Sequence, residues 1–264
     1  MQMNEDAIVD MLMQNKIKLY EIEKYVGNDY NVASKIRIKF LEKLRNTKLE
    51  NISKTVLDFN TLVGKNIENP IGSVQIPTGI AGPLKINGDH ARGNFYIPLS
   101  TTEGALVASV NRGCSTITEC GGANVKVLKN KMTRAPVFKL NGVKEAKNFA
   151  DWIQKNYDEV KKIAENDSKH TKLLSIEPFI IGRYAYLRFG YDTSDAMGMN
   201  MVTIATENVC KYVEENYKDA RCIALSSNMC TDKKPSAMDM LLGRGKSVSA
   251  EVVIPEDVVK NKLK

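Results

Sequence analysis

The chain has 264 residues, 43% of them hydrophobic, which is enough apolar material for one large or two modest domains and excludes a disordered polymer. The formal charge of +7 is spread along the chain without a like-charge block or a nucleic-acid-reading motif, so it describes a solvated basic surface and no nucleic-acid partner. Five cysteines without a C-x-x-C pair, a polar acidic start, and no apolar run near the roughly 18 residues of a membrane span point to a reduced cytoplasmic protein with no disulfide frame, no metal site and no membrane partner.

Residues 4–46 predict helices. Ala7, Ile8, Met11 and Leu12 repeat at helical spacing, as do Ala33, Ile36, Phe40 and Leu44, with a break at Gly27-Asn28-Asp29. This defines a small helical N-terminal unit, taken as residues 1–60. From Asn66 the chain turns rich in glycine and proline. Asn87-Gly88 is a hairpin signal, but Lys85-Ile86 and Phe95-Tyr96-Ile97 stand far enough apart to predict a longer loop. The glycines here either permit turns or bring backbone amides against a bound anion or thioester.

The stretch from Pro98 to Cys114 predicts a buried, closely packed central helix that begins near Ser100 and carries Glu103 in its first turn. Two readings of Glu103 stand side by side. Ser100 and Glu103 have the spacing of a capping box, each satisfying a free backbone amide of the other. Alternatively, close packing around Gly104 desolvates the carboxyl, raises its pKa and makes it a proton donor.

Strands follow at 122–129 and 134–140, then a helix from Val143 to about Asn166 with Ala146, Phe149, Trp152 and Ile153 on one face. Leu173 to Ile180 and Tyr184 to Tyr191 form a hairpin over Ile181-Gly182-Arg183, residues 198–216 a helix, and Cys222 to Leu225 a short strand. From Pro136 to Leu225 the order is β-α-β-β-α-β, the split unit of ferredoxin-like folds. The fold class is therefore α+β: the helical N-terminal unit, a larger helix-rich domain around the central helix (61–135 and 244–264), a ferredoxin-like insert (136–225) and a loop (226–243).

Three polar stretches remain. Asp195-Ala196-Met197-Gly198-Met199-Asn200 opens a helix whose free amides suit a pyrophosphate; equally, Asp195 is the N-cap and the methionines are core. Ser226 to Pro235 is a polar loop in which Lys233 and Lys234 follow Asp232, either a device that fixes an ammonium or an exposed charged turn. Gly243-Arg244-Gly245-Lys246-Ser247 looks like the end of a P-loop, but the first glycine of that motif falls at Met240, and no G-x-G-x-x-G follows a strand.

Taken together, Glu68-Asn69-Pro70-Ile71-Gly72 through Gly82-Pro83-Leu84, Thr102-Glu103-Gly104, Asp195 to Asn200, Asp232-Lys233-Lys234-Pro235 and Gly243 to Ser247 resemble, in order, the signatures of the 3-hydroxy-3-methylglutaryl-CoA reductase family, its archaeal members most of all. The resemblance covers about Ala33 to Lys264. It implies NADPH-dependent reduction of the thioester 3-hydroxy-3-methylglutaryl-CoA (HMG-CoA), through a hemithioacetal and an aldehyde, to mevalonate and CoA on the way to isoprenoids. It implies Glu103 and Lys233 as catalytic residues, Asp195, Ala196, Met197, Gly198, Met199 and Asn200 as cofactor-binding, and Glu68, Asn69, Arg134, Ser226, Asn228 and Lys234 as substrate-binding. A homodimer or higher oligomer is implied as well.

The 264 residues contain no Gly-Gln-Asp triplet and no late histidine of the kind the family uses to hold the lysine and to protonate the CoA thiolate. The resemblance therefore implies weak turnover by this chain alone and a complementary C-terminal segment as a partner, or else a non-catalytic or split-subunit binding module. Ser227 stands where glycine is usual in the family, and Asp239 where asparagine is usual.

Overall fold

The computed structural model describes residues 4–263. The chain divides into two compact units, one comprising 1–80 and 98–107, the other 81–97 and 108–264.

The first unit is built on helices α1 (Glu5–Met13) and α2 (Tyr30–Arg45), joined by a 3-10 segment at Leu19–Tyr25. Asn4 caps α1, and the Asp29 carboxylate caps α2 by accepting from the amides of Asn31 and Val32 at 3.0 and 3.1 Å. Thus the Gly27-Asn28-Asp29 break lies just before α2. Ile8, Val9, Leu12, Ile17, Ile22, Val26, Ala33 and Ile36 form the core of this unit. Short helices α3 (Glu50–Ser53) and α4 (Phe59–Leu62) follow. Beyond them, Gly72 lies at φ +142 so close to Ile52 that a Cβ would sit 2.0 Å from its carbonyl oxygen, which leaves glycine as the residue that fits.

Strands β1 (Thr78–Gly88) and β2 (Arg92–Ser100) are joined by Asp89-His90-Ala91, with the Gly88 amide donating to the Ala91 carbonyl at 2.9 Å. The longer loop expected from the apolar runs is therefore corrected to a three-residue turn. Of the polar residues read as loop, Asn87, Arg92 and Asn94 are strand residues, Asn87 half-buried and the other two exposed.

The central helix is corrected in two respects. It begins at Leu106, not near Ser100, as α5 (Leu106–Glu119), and of its residues only Cys114 and Thr116 are buried. Ser100 is still strand and its hydroxyl pairs with that of Thr78 at 2.9 Å, so it is committed elsewhere. Ala105 at φ +65 then interrupts helical geometry just before Leu106. Along β1, the Asn111 side chain accepts from the Gly82 amide, and Thr118 accepts from the Lys85 amide and donates to the Pro83 carbonyl, each at 2.9 Å.

The rest of the second unit is a mixed sheet with helices. Its strands β3 (Ala123–Arg134), β4 (Val137–Lys139), β5 (Lys172–Ile181), β6 (Tyr184–Asp192), β7 (Arg221–Ala224) and β8 (Gly245–Glu251) join β1 and β2 in the order β2-β1-β3-β6-β4-β7, with β5 beside β6 and β8 beside β3. β1 and β3 are parallel; β3–β6, β3–β8, β4–β6, β4–β7 and β5–β6 are antiparallel. The sequence order through 137–224 is β4, α6 (Val143–Lys155), α7 (Tyr157–Glu165), β5, β6, α8 (Met199–Asn216), β7. The one helix expected over 143–166 is two, because Asn156 leaves helical geometry at φ −100, ψ 21. The single strand expected at 122–129 extends to Arg134, where it runs into β6.

Phe138, Phe149, Ile153, Leu187, Phe189, Tyr191, Val202 and Val209 are among the buried residues of this unit's core. The Tyr191 hydroxyl meets the Thr206 hydroxyl at 2.9 Å, tying β6 to α8, and burial pushes its phenol upward. Phe149 sits at the centre, with ring centroids 5.0 Å from Phe138, 5.2 Å from Tyr217 and 6.4 Å from Trp152. Truncating it empties a site that its neighbours cannot refill. Phe149→Ala is expected to cost about 3–5 kcal/mol, read in urea titrations by the fluorescence of Trp152, the chain's single tryptophan; a loss below about 1 kcal/mol would show that the aromatic cluster does not hold this core.

Candidate functional site

The Asp232 carboxylate organises the polar groups of the second unit. Its Oδ1 accepts from Arg244 Nη2 at 2.8 Å and its Oδ2 lies 4.0 Å from Arg134 Nη1. Asp232, Arg134 and Arg244 are 20%, 11% and 16% exposed, so the two guanidinium charges are balanced where water is scarce. Both arginines also reach the first two turns of α8. Arg134 donates to the Thr203 hydroxyl, and Arg244 Nη2 lies 2.7 Å from the Met199 sulfur. The end of β3, the polar loop, the start of β8 and the start of α8 are thereby joined around one carboxylate.

The loop after β7 is fixed from below. The Ser227 amide donates to the Ala135 carbonyl at 2.9 Å, the Thr133 hydroxyl donates to the Cys230 carbonyl at 3.1 Å, and the Cys230 thiol donates back to the Thr133 carbonyl. Thr231 and Lys233 both lie at φ +59, a left-handed conformation that L residues keep only when their surroundings hold it. Thr231 donates to the Asp239 carboxylate, and Ser236 caps α9 (Ala237–Leu242) through the Asp239 amide. An asparagine Oδ1 could accept the same bond, so the structure gives no reason for aspartate at position 239. Lys233 and Lys234 are exposed beyond this base, as are Ser226 and Asn228.

Beneath the loop lies Arg188, 1% exposed on β6. Its Nε donates to the Met229 carbonyl at 3.0 Å and its Nη2 to the Gly243 carbonyl at 2.8 Å. Burial lowers its pKa from the ordinary arginine value, opposed by Glu177 and Asp239; Glu177 itself pairs with Lys131 at 2.7 Å.

The start of α8 settles one open choice. Its N-cap is Gly198 at φ +79, with no side chain capping the helix, so Asp195 is not the cap. Met197 is 67% exposed, so it is not core, whereas Met199 packs against the core from its edge. The turn before the helix is closed by the Thr193 hydroxyl donating to the Ala196 carbonyl at 2.7 Å. Asp195, Ala196 and Met197 line an open groove of about 340 Å³ with Asn130, Met132 and Lys246. Uncapped helix-start amides beside a lysine suit an anionic ligand.

In the first unit Glu103 is exposed in the bend ahead of α5, its amide accepted by the Thr101 hydroxyl at 2.9 Å. Neither the capping box nor the desolvated carboxyl describes it: Thr101 replaces Ser100 as the local cap, and a Cβ at Gly104 would meet open space. Glu68 and Asn69 are exposed, Asn69 at φ +48 with its Oδ1 accepting from Arg37 Nη2 at 3.2 Å. Arg37 is itself buried on the Leu19 carbonyl and Glu23.

Of the residues singled out from the sequence, Arg134, Met199 and the Asp232–Lys233 segment are brought to one place. Arg188 and Thr203 were missed there, and Arg244 was quoted only within the Gly243–Ser247 signature, with no role. Arg188 left a signal as a lone charge inside an apolar strand, Tyr184 to Tyr191. Thr203 left none, since a threonine on a helix is unremarkable until an arginine arrives from β3. Among the described residues no cluster of three or more His, Cys, Asp or Glu side chains is placed to hold a metal ion.

The architecture is that of an α+β protein in which a mixed sheet and one long helix present a cationic, loop-borne site. The solved class II HMG-CoA reductase of Streptococcus pneumoniae, bound to NADPH in open conformations, shares this fold at a TM-score of 0.55 and 18% identity, covering 74% of this chain and 55% of that one. A sequence profile for hydroxymethylglutaryl-coenzyme A reductase matches residues 33–264, and the chain belongs to that family. The 3-hydroxy-3-methylglutaryl-coenzyme A reductase of Pyrococcus horikoshii is 51% identical over 263 residues, 99% of this chain and 64% of that protein. That of Aeropyrum pernix is 53% identical over 260 residues, 98% of this chain and 62% of that protein. The chain therefore spans a little under two thirds of the length of these relatives.

Gly198 gives a direct check on the helix start. A Cβ there would lie 2.4 Å from Thr193 Cγ2 at a φ of +79. Gly198→Ala is expected to lose more than about 1 kcal/mol of stability in thermal or urea unfolding, and an unchanged midpoint would show that the turn relaxes freely. Asp232→Ala removes the shared carboxylate and is expected to cost about 1–3 kcal/mol, with Asp232→Asn losing less because one acceptor remains; equal losses would show that the acceptor contributes nothing.

Proposed function

We propose that the chain carries the reductive machinery of its family: reduction of HMG-CoA to mevalonate and CoA in the cytoplasm, for isoprenoid synthesis, by a homodimer or higher oligomer. In this reading residues 136–225 form a ferredoxin-like cofactor-binding insert, 61–135 and 244–264 the substrate-binding domain, and 226–243 the catalytic loop. The observation that carries the reading is the Asp232 cluster, in which the loop bearing Lys233 and the helix start bearing Met199 and Asn200 are tied to the same two arginines.

The residues present suit an anionic dinucleotide. The amides opening α8 carry no side-chain cap, and the buried Nε atoms of Arg134 and Arg244 have no hydrogen-bond partner among the described residues. Asp195, Ala196, Met197, Gly198, Met199 and Asn200 would hold NADPH, which supplies hydride when bound. Reduction of a carbonyl builds negative charge on its oxygen, and the Lys233 ammonium would stabilise it. Glu103 would hold or donate the proton that the carbonyl oxygen requires; an exposed carboxyl does this only once bound substrate excludes water from it. Glu68, Asn69, Arg134, Ser226, Asn228 and Lys234 would orient the acyl-CoA.

The experiment is titration of the folded chain with NADPH and with HMG-CoA, followed by turnover assays of the chain alone and mixed with the C-terminal third of an archaeal relative. Binding of at least one ligand is expected, and a folded sample that binds neither rejects the reading. Under conditions where turnover is measurable, Lys233→Met is expected to lower kcat by about 10²–10³-fold, with NADPH affinity nearly unchanged. Glu103→Gln is expected to lower kcat by about 10²–10⁴-fold. Retention of kcat by either variant removes that residue from the catalytic set.

A further inference from the structure

We propose that Arg188 is a positioning residue for Lys233, one buried guanidinium pinning both ends of the loop that carries the lysine. The inference rests on the reading of Lys233 given above and adds to it a residue that touches no ligand.

The geometry is specific. Nε donates to the carbonyl of Met229, just before the Cys230–Lys233 segment, and Nη2 donates to the carbonyl of Gly243, just after α9. The two carbonyls belong to the departing and returning strands of one loop, and a single planar fork reaches both. A lysine in the same place has one nitrogen and cannot reproduce the pair of bonds. Nη1 has no hydrogen-bond partner among the described residues and lies 3.9 Å from Glu177 Oε2, which with Asp239 balances the charge.

The loop needs such a constraint. Thr231 and Lys233 both occupy the left-handed region, where a side chain is disfavoured, and they relax toward ordinary backbone unless the ends are held. The other ties hold Ser227 to Ala135, Cys230 to Thr133 and Thr231 to Asp239, and Lys129 Nζ reaches the Leu241 and Leu242 carbonyls at 3.4 Å. At the return, the Gly243 carbonyl itself is held by Arg188. Release of that carbonyl also frees the adjoining Arg244, and with it the 2.8 Å bond from Arg244 to Asp232, the residue before Lys233. Arg188 thus acts on Lys233 along two routes, through Met229 from one side and through Gly243, Arg244 and Asp232 from the other.

The test compares Arg188→Lys and Arg188→Met with the parent chain by hydrogen exchange and mass spectrometry, using peptides from 226–243 and from the β5–β6 hairpin. The expected result is exchange in 226–243 faster by about tenfold or more in Arg188→Met, a smaller change in Arg188→Lys, and unchanged hairpin protection. If Arg188→Met does not fold, Arg188→Lys decides by the same comparison. Unchanged loop exchange in a folded variant overturns the proposal, as does equal loosening of loop and hairpin, which marks a residue of the general core. The second readout is kinetic: kcat is expected to fall by about tenfold to a hundredfold while NADPH affinity stays within about twofold, with partial recovery in Arg188→Lys. A looser loop with unchanged kcat overturns the positioning role. If the parent chain has no turnover under any condition, the function proposed above fails, and the exchange comparison still decides whether Arg188 pins the loop.

Discussion

A carboxylate shared between two guanidinium groups is the constraint on which the second unit's polar surface depends. Asp232 sits between Arg134, at the end of β3, and Arg244, just before β8, and both arginines continue to the first two turns of α8. Three charges gathered where exposure is low are tolerable only as a set. Remove the anion and two cations are left with little water; remove one cation and the anion loses its closest partner. The arrangement therefore fixes which backbone segments can lie together, and it does so where the sheet, the loop and the long helix meet.

The same economy of partners appears in the interior. Arg188 and Arg37, both 1% exposed, spend their donors on backbone carbonyls and pair with a glutamate. Each fixes a segment that has left-handed backbone, at Thr231 and Lys233 in one case and at Asn69 in the other. Buried arginine on a carbonyl is a costly way to build a core and an effective way to hold an irregular loop, because the fork sets direction as well as distance. The segments held in this way are the ones whose residues the family resemblance assigns to substrate and catalysis.

Much of the second unit was legible beforehand because its signals are local. The hairpin of β5 and β6 around Gly182, the long helix from Met199, and the short strand near Cys222 follow from alternation, helical period and a glycine at φ +58. The first unit's helices follow from Ile8, Leu12, Ala33 and Ile36 and from the Asp29 cap. What failed was also local in origin. Ser100 and Glu103 carry the spacing of a capping box, yet Ser100 is held as strand by Thr78, which lies 22 positions earlier, and Ala105 at φ +65 delays the helix to Leu106. The turn at 89–91 was expected as a longer loop because the start of β2 at Arg92-Gly93-Asn94 carries no apolar alternation to mark it as strand.

The sequence by itself determined the family, the α+β class and the order of strands and helices from β4 to β7, since motif spacing and hydrophobic period are properties of neighbours along the chain. It also marked Asp195 to Asn200 as the opening of a helix and Asp232 to Lys234 as part of a polar loop. The tertiary structure alone decided that Gly198 rather than Asp195 opens α8, that Asp232 is shared by Arg134 and Arg244, and that Arg188 closes the loop from beneath. Those facts depend on groups separated by tens of residues, and their energies arise from burial and charge pairing in three dimensions, which no local pattern records.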